Sequence, residues 1–139
     1  MRRIRVVVLA LVCSVGAIVG VAAPSYAGTE DCMKGWACVW EHNSYEGRVY
    51  GTNKNLAGFT HLINEGSSVS AHGGKCKQTR FYDDWSYVSE LPKGNSFVLN
   101  SKHFYNHGFR DPNLRNGAGS STRNFNDTLE SLNFINCVS

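Results

Sequence analysis

From residue 32 onward, apolar and polar positions trade places in short bursts. The stretches ACVW (37–40), GRVYG (47–51), QTRFY (78–82), SFVLN (96–100) and SLNFI (131–135) have strand character. Turn-forming clusters separate them at intervals of about eight to twelve residues: NSYEG, GTNKN, NEGSS, AHGGK, PKGN, NHG, RNGAG and NFND. No segment sustains an apolar pattern at helical spacing. The pattern predicts an all-β chain of many short strands, with at most a short helical turn in RDPNLR (110–115).

One spacing occurs twice. Trp40-Glu41 is followed by Tyr45 and Gly47, and Tyr82-Asp83 by Tyr87 and Ser89. Each copy is later followed by a serine and a strand, Ser67-Ser68-Val69 in the first and Glu130-Ser131-Leu132 in the second. This is an internal duplication with units of roughly 40 to 60 residues. A folded-over hairpin accounts for it. The first aromatic ends a strand, and the second packs back onto the hairpin. Gly47 supplies a positive φ, and Ser68 or Ser131 ties the corner down through a hydroxyl-to-backbone bond.

The N-terminus changes how charge is read. Arg2, Arg3 and Arg5, an apolar run from Val6 to about Ala23, and the small residues Ser25 and Ala27 form a secretory signal, residues 1–27. Cleavage after Ala23, or retention as a membrane anchor, are the alternatives. Removing these three arginines from 14 Lys+Arg leaves 11 against 11 Asp+Glu, so the basic balance of the whole chain belongs to the leader. The remaining domain, 28–139, carries no basic stripe for nucleic acid, and no membrane segment once the signal is cut. A secreted monomer is expected.

Four cysteines follow the leader, Cys32, Cys38, Cys76 and Cys137, an even count that implies disulfides in an exported domain. Three pairings are possible. Five intervening residues that include Gly35 favour Cys32–Cys38, which leaves Cys76–Cys137. Chain entropy assigns about 2 kcal/mol to the short loop and about 4 to the long one.

The aromatic–acidic–x–x–x–Tyr–x–Gly pattern with its later serine resembles a βγ-crystallin Greek-key motif, two of which make one sandwich. The start, Cys32-x5-Cys38 running into Val39-Trp40-Glu41, resembles the secreted actinobacterial metalloproteinase-inhibitor family. That resemblance implies two Greek-key motifs forming one disulfide-stapled βγ-crystallin-like sandwich. It also implies a non-enzymatic peptidase inhibitor directed at a secreted, thermolysin-like metalloproteinase through substrate-like loop binding. Two departures matter. Ser89 stands where the second motif expects glycine, and Cys76-Lys77 stands where the family presents a Cys–Val bond in a small disulfide loop.

The inhibitory loop is therefore sought elsewhere. Tyr45 to Ser68 spans 23 positions, but Tyr87 to Ser131 spans 44. The extra length reads as an insertion around residues 100–121, rich in His103, Phe104, Tyr105, His107, Phe109 and Leu114. Phe109 and Leu114, each with an apolar side chain after a Gly or Asn, are the inhibitory-loop candidates. Cys76 and Lys77 are the alternative by family analogy.

No cofactor is required, but the crystallin resemblance raises calcium. Asn126, Asp127 and Glu130, with Glu41 from the partner hairpin, offer the oxygen ligands of one degenerate site. A calcium-binding structural or envelope-associated protein, and a small antifungal toxin-like protein, are thus the alternative functions. His103-x3-His107 has a metal-ligand spacing, but Asn106 and Gly108 argue against the helix that would align the pair. Asp83-Asp84 reads as a solvated turn. The chain has no H-E-x-x-H, no G-x-S-x-G and no phosphate-binding glycine loop.

Overall fold

A computed structural model describes residues 32–85 and 95–139. The leader at 1–27, Tyr87 and Ser89 lie outside the described residues. Among the described residues, seven strands run in order: β1 (Ala37–Trp40), β2 (Val49–Thr52), β3 (Ser68–Ala71), β4 (Cys76–Tyr82), β5 (Ser96–Asn100), β6 (Arg110–Asp111) and β7 (Ser131–Cys137). They form two antiparallel sheets, β2-β1-β3-β6 and β5-β4-β7. Leu56, itself outside the strands, bridges Leu132 of β7. Leu56 N–H donates to Leu132 O at 2.9 Å, and Leu132 N–H returns a bond at 3.1 Å.

The duplication is thus visible as exchange. Each unit lends its third extended segment to the other unit's sheet: β6 pairs with β3 of the first unit, and Leu56 pairs with β7 of the second. Val69 faces Asp111 in one pairing and Leu132 faces Leu56 in the other. Two Greek keys interlocked in this way share one core.

That core follows from strand alternation. Phe81, Phe97, Leu99 and Leu132 from one sheet meet Ala37, Val39, Val69 and Ala71 from the other, all buried. Strand β1 is buried on both faces. Ala37 and Val39 point into the sandwich, while Cys38 and Trp40 point the other way, beneath Cys32, Trp36 and Tyr45. Trp40 and Tyr45 meet edge to face at 5.3 Å, so the second aromatic of the motif covers the first. Both disulfides form as expected, Cys32–Cys38 and Cys76–Cys137.

Two expectations change. The extra length of the second unit is not one insertion. Trp40 pairs with Val49, nine residues on, whereas Tyr82 pairs with Ser96, fourteen on. Val49 to Leu56 is seven residues against fifteen from Ser96 to Asp111, and Leu56 to Ser68 is twelve against twenty from Asp111 to Ser131. Every connection of the second unit is longer. Leu114, moreover, is not presented to a partner. It is fully buried in the shared core with Ala118 and Phe125. It opens a 3-10 turn (Leu114–Asn116) whose cap, Asn113, accepts a bond from Arg115 N–H. An isolated leucine in a polar run served the core rather than the surface.

Candidate functional site

The motif corners are built alike. Ser68 Oγ donates to His42 O at 2.7 Å, and Ser131 Oγ donates to Asp84 O at 2.6 Å. Tyr45 N–H donates to the Ser68 hydroxyl at 3.1 Å. Gly47 sits at φ 78°, where an added Cβ would lie 2.9 Å from the His42 ring, so the glycine is required twice over, by backbone and by space. Glu41 is held by Arg48, with bonds of 2.9 and 3.0 Å, and Arg48 also reaches Glu65 at 2.6 Å. The Arg48 hydrogen bonds hold the Glu41 carboxyl down to about 2. Burial pushes the Tyr45 phenol up to about 12.

Where the two units meet, a second set of contacts repeats with the same numbering offset. Asp127 N–H donates to Gly66 O, and Asn64 N–H donates to Leu129 O. The Ser67 hydroxyl donates to Asp127 Oδ1 at 3.2 Å, and Asn64 Nδ2 donates to Glu130 Oε1 at 3.2 Å. Asn64 and Asp127 both have positive φ, 53° and 56°, which their short polar side chains tolerate. The four residues expected to share one cation are therefore dispersed. Asp127 meets Ser67, Glu130 meets Asn64, and Glu41 is paired with Arg48. Asn126 adjoins the first of these stations, and its Oδ1 is buried without a hydrogen-bond partner. Ser67 and Asn64 are the residues that sequence reasoning did not assign. Aligning the two copies sets Asn64 against Asp127 and Ser67 against Glu130, whereas the fold joins Ser67 to Asp127 and Asn64 to Glu130. Among the described residues no cluster of three His, Cys, Asp or Glu could hold a metal.

The connection between β5 and β6 is exposed from His103 to Gly108 and tied at its base. Lys102 N–H donates to Ala71 O at 2.9 Å, and Ala71 N–H donates to Phe109 O at 2.8 Å, so both ends grip one residue of β3. Asn100 N–H and side chain donate to Gly108 O and His107 O. Ser101, wholly buried, donates from Oγ to Gly73 O at 2.6 Å and accepts from His103 N–H. Its carbonyl accepts from both Phe104 N–H and Tyr105 N–H. Phe109 is half-buried, with Lys102 and Arg110 over its ring at 5.6 and 5.3 Å. It acts as a strut at the loop base. The alternative pair sits elsewhere: Cys76 opens β4 opposite Cys137, and Lys77 is an exposed strand residue whose carbonyl accepts from Ser101 N–H.

The profile of peptidase inhibitor family I36 matches residues 25–93. Among solved structures, a βγ-crystallin from Ciona intestinalis is similar at 15% identity and TM-score 0.51, over 71% of this chain and 98% of that one. A βγ-crystallin from an archaeon matches at 19% identity and TM-score 0.49, over 72% and 96%. The first of these likenesses agrees with the two-sheet Greek-key fold described above. No curated protein is significantly similar in sequence.

Proposed function

Because the chain belongs to peptidase inhibitor family I36, we propose that it is an exported inhibitor of thermolysin-like metalloproteinases that binds through a substrate-like loop. The family match carries the inhibitor reading. The narrower target rests on the Cys32-x5-Cys38-Val39-Trp40-Glu41 start and its resemblance to secreted metalloproteinase inhibitors. The frame supports the mode of action. Two disulfides and a shared core hold the connections between strands, so an exposed segment loses little freedom on docking. Titration of the mature protein against a thermolysin-like, a serine and a cysteine protease tests the reading. Stoichiometric inhibition of the zinc enzyme alone is expected. Inhibition confined to a serine or cysteine protease would reassign the target.

A second reading rests on the station at Asp127. A carboxylate, the Ser67 hydroxyl and the orphaned Asn126 Oδ1 are hard oxygen donors of the kind calcium takes. Bound there, the ion would supply a further link between the two units. Calorimetry in calcium and in chelator should show a rise in Tm that Asp127→Asn abolishes. An unchanged Tm in both media removes the ion from the account.

A further inference from the structure

Among the described residues the large exposed apolar side chains are scattered, with one exception. Met33, Val49, Ile63, Trp85 and Val138 stand apart along the sequence, whereas Phe104 and Tyr105 are neighbours, 36% and 37% exposed, on one connection. Exposed aromatics normally cost solubility unless something covers them, and paired Phe and Tyr are typical anchors of a protein interface. This connection also differs from a floppy loop. Its two ends bond to the same Ala71, and Asn100 clamps residues 107 and 108. The Ser101 carbonyl fixes the turn that carries both aromatics. Gly108, at φ 66°, closes it, and an added Cβ there would lie 3.1 Å from Asn100 Nδ2. His103 lies edge to face with Phe104 at 4.8 Å, and His107 with Tyr105 at 6.4 Å, so the rings have neighbours that hold them up without burying them.

Charge points the same way. No carboxylate occurs between Glu90 and Asp111, while Lys102, His103, His107 and Arg110 fall within that span. The segment is thus an aromatic tip on a base that is neutral to cationic. It complements a cleft with an apolar pocket and carboxylate walls. A zinc peptidase of the H-E-x-x-H kind keeps one such carboxylate in its cleft, the Glu that acts as general base.

We propose that residues 102–108 are the segment that enters the target peptidase's cleft, with Phe104 and Tyr105 filling its apolar pocket. The inference rests on the metalloproteinase reading and adds the surface that performs it. It lies outside the residues matched by the family profile, and it replaces Phe109 and Leu114 as the binding residues. Phe109 braces the loop base, and Leu114 belongs to the core.

The test uses the whole mature protein against thermolysin. The double variant Phe104→Ala/Tyr105→Ala should weaken inhibition by about 50-fold or more, in the range of lost interface anchors. Its Tm should match the parent's. Tyr105→Glu, which keeps an exposed polar-tolerant position but forbids an apolar pocket, should do the same. Trp85→Ala, on a different connection, should leave inhibition unchanged. A parent that inhibits, with both loop variants within about threefold of it, overturns this inference alone. So does loss of inhibition in Trp85→Ala with the loop variants unaffected. A parent that does not inhibit any zinc peptidase overturns the metalloproteinase reading and this inference with it.

Discussion

Ser68 and Ser131 close the same corner in the two units, each through a hydroxyl-to-carbonyl bond. Leu56 and Asp111 make the same crossing into the opposite sheet. Yet the first unit reaches its crossing seven residues after Val49, and the second takes fifteen from Ser96. The duplicated parts are those that close the backbone and bury the core. The divergent parts are the connections, which in the second unit hold both a core plug at Leu114 and an exposed aromatic turn at Phe104 and Tyr105. Both units send a connection into the shared core, the first through Phe59 and the second through Leu114 and Phe125. The surplus that remains is available for recognition.

The sharpest way to separate frame from surplus lies within that second unit. Leu114→Ala should cost about 2–5 kcal/mol, because a wholly buried leucine leaves a cavity among packed neighbours. Phe104→Ala, ten residues earlier, should stay within about 0.5 kcal/mol. Urea unfolding of the two variants measures the contrast. A Leu114→Ala protein as stable as its parent would return that residue to the surface, where the sequence alone had placed it.

The equivalence of the corners can be broken next. Ser68→Ala strips the His42 carbonyl and the Tyr45 amide of their partner, and Ser131→Ala strips the Asp84 carbonyl. Each should cost about 1–3 kcal/mol by thermal unfolding, and the two should agree to about 1 kcal/mol if the corners are the same device. A silent Ser131→Ala would mean that the second corner is held by its longer surroundings rather than by its serine.

These contrasts also show why some of the structure could be read in advance. The corners were legible because aromatic, acid and aromatic recur at matched spacing and each run is later followed by a serine that can close the turn. Both disulfides were legible because the short loop leaves a single complementary pair. Strand β6 was not, since Arg110 and Asp111 pair through backbone groups and carry no alternating apolar signal. Leu114 misled for a related reason. One apolar residue in a polar run has no period, so its direction is undetermined until the chain is folded. The spacing from Tyr87 to Ser131 gave a total excess but not its partition among three connections. The cross-unit pairs Ser67–Asp127 and Asn64–Glu130 depend on a symmetry that only the assembled sandwich displays.

The smallest expected effect concerns Tyr45, where the first unit's corner faces Arg110 and Asp111 of the second. Burial raises its phenol to about 12, with Arg110 pulling it down and Asp111 pushing it up. A pKa raised in the folded state means that folding favours the neutral phenol. The corresponding stability is complete below about 10 and is lost as pH rises through about 12. Tyr45→Phe removes this alkaline loss while keeping the edge-to-face contact with Trp40. The Tyr45 hydroxyl is buried without a partner, so at neutral pH the variant should equal its parent or exceed it by up to about 1 kcal/mol. Between pH 10 and 12 its advantage should grow by roughly 1 kcal/mol, a figure already reduced for the side chain's partial exposure. Urea midpoints at pH 7, 10 and 11.5 check both parts. A parent and variant that lose stability in parallel above pH 10 would place the alkaline weakness elsewhere than at this corner.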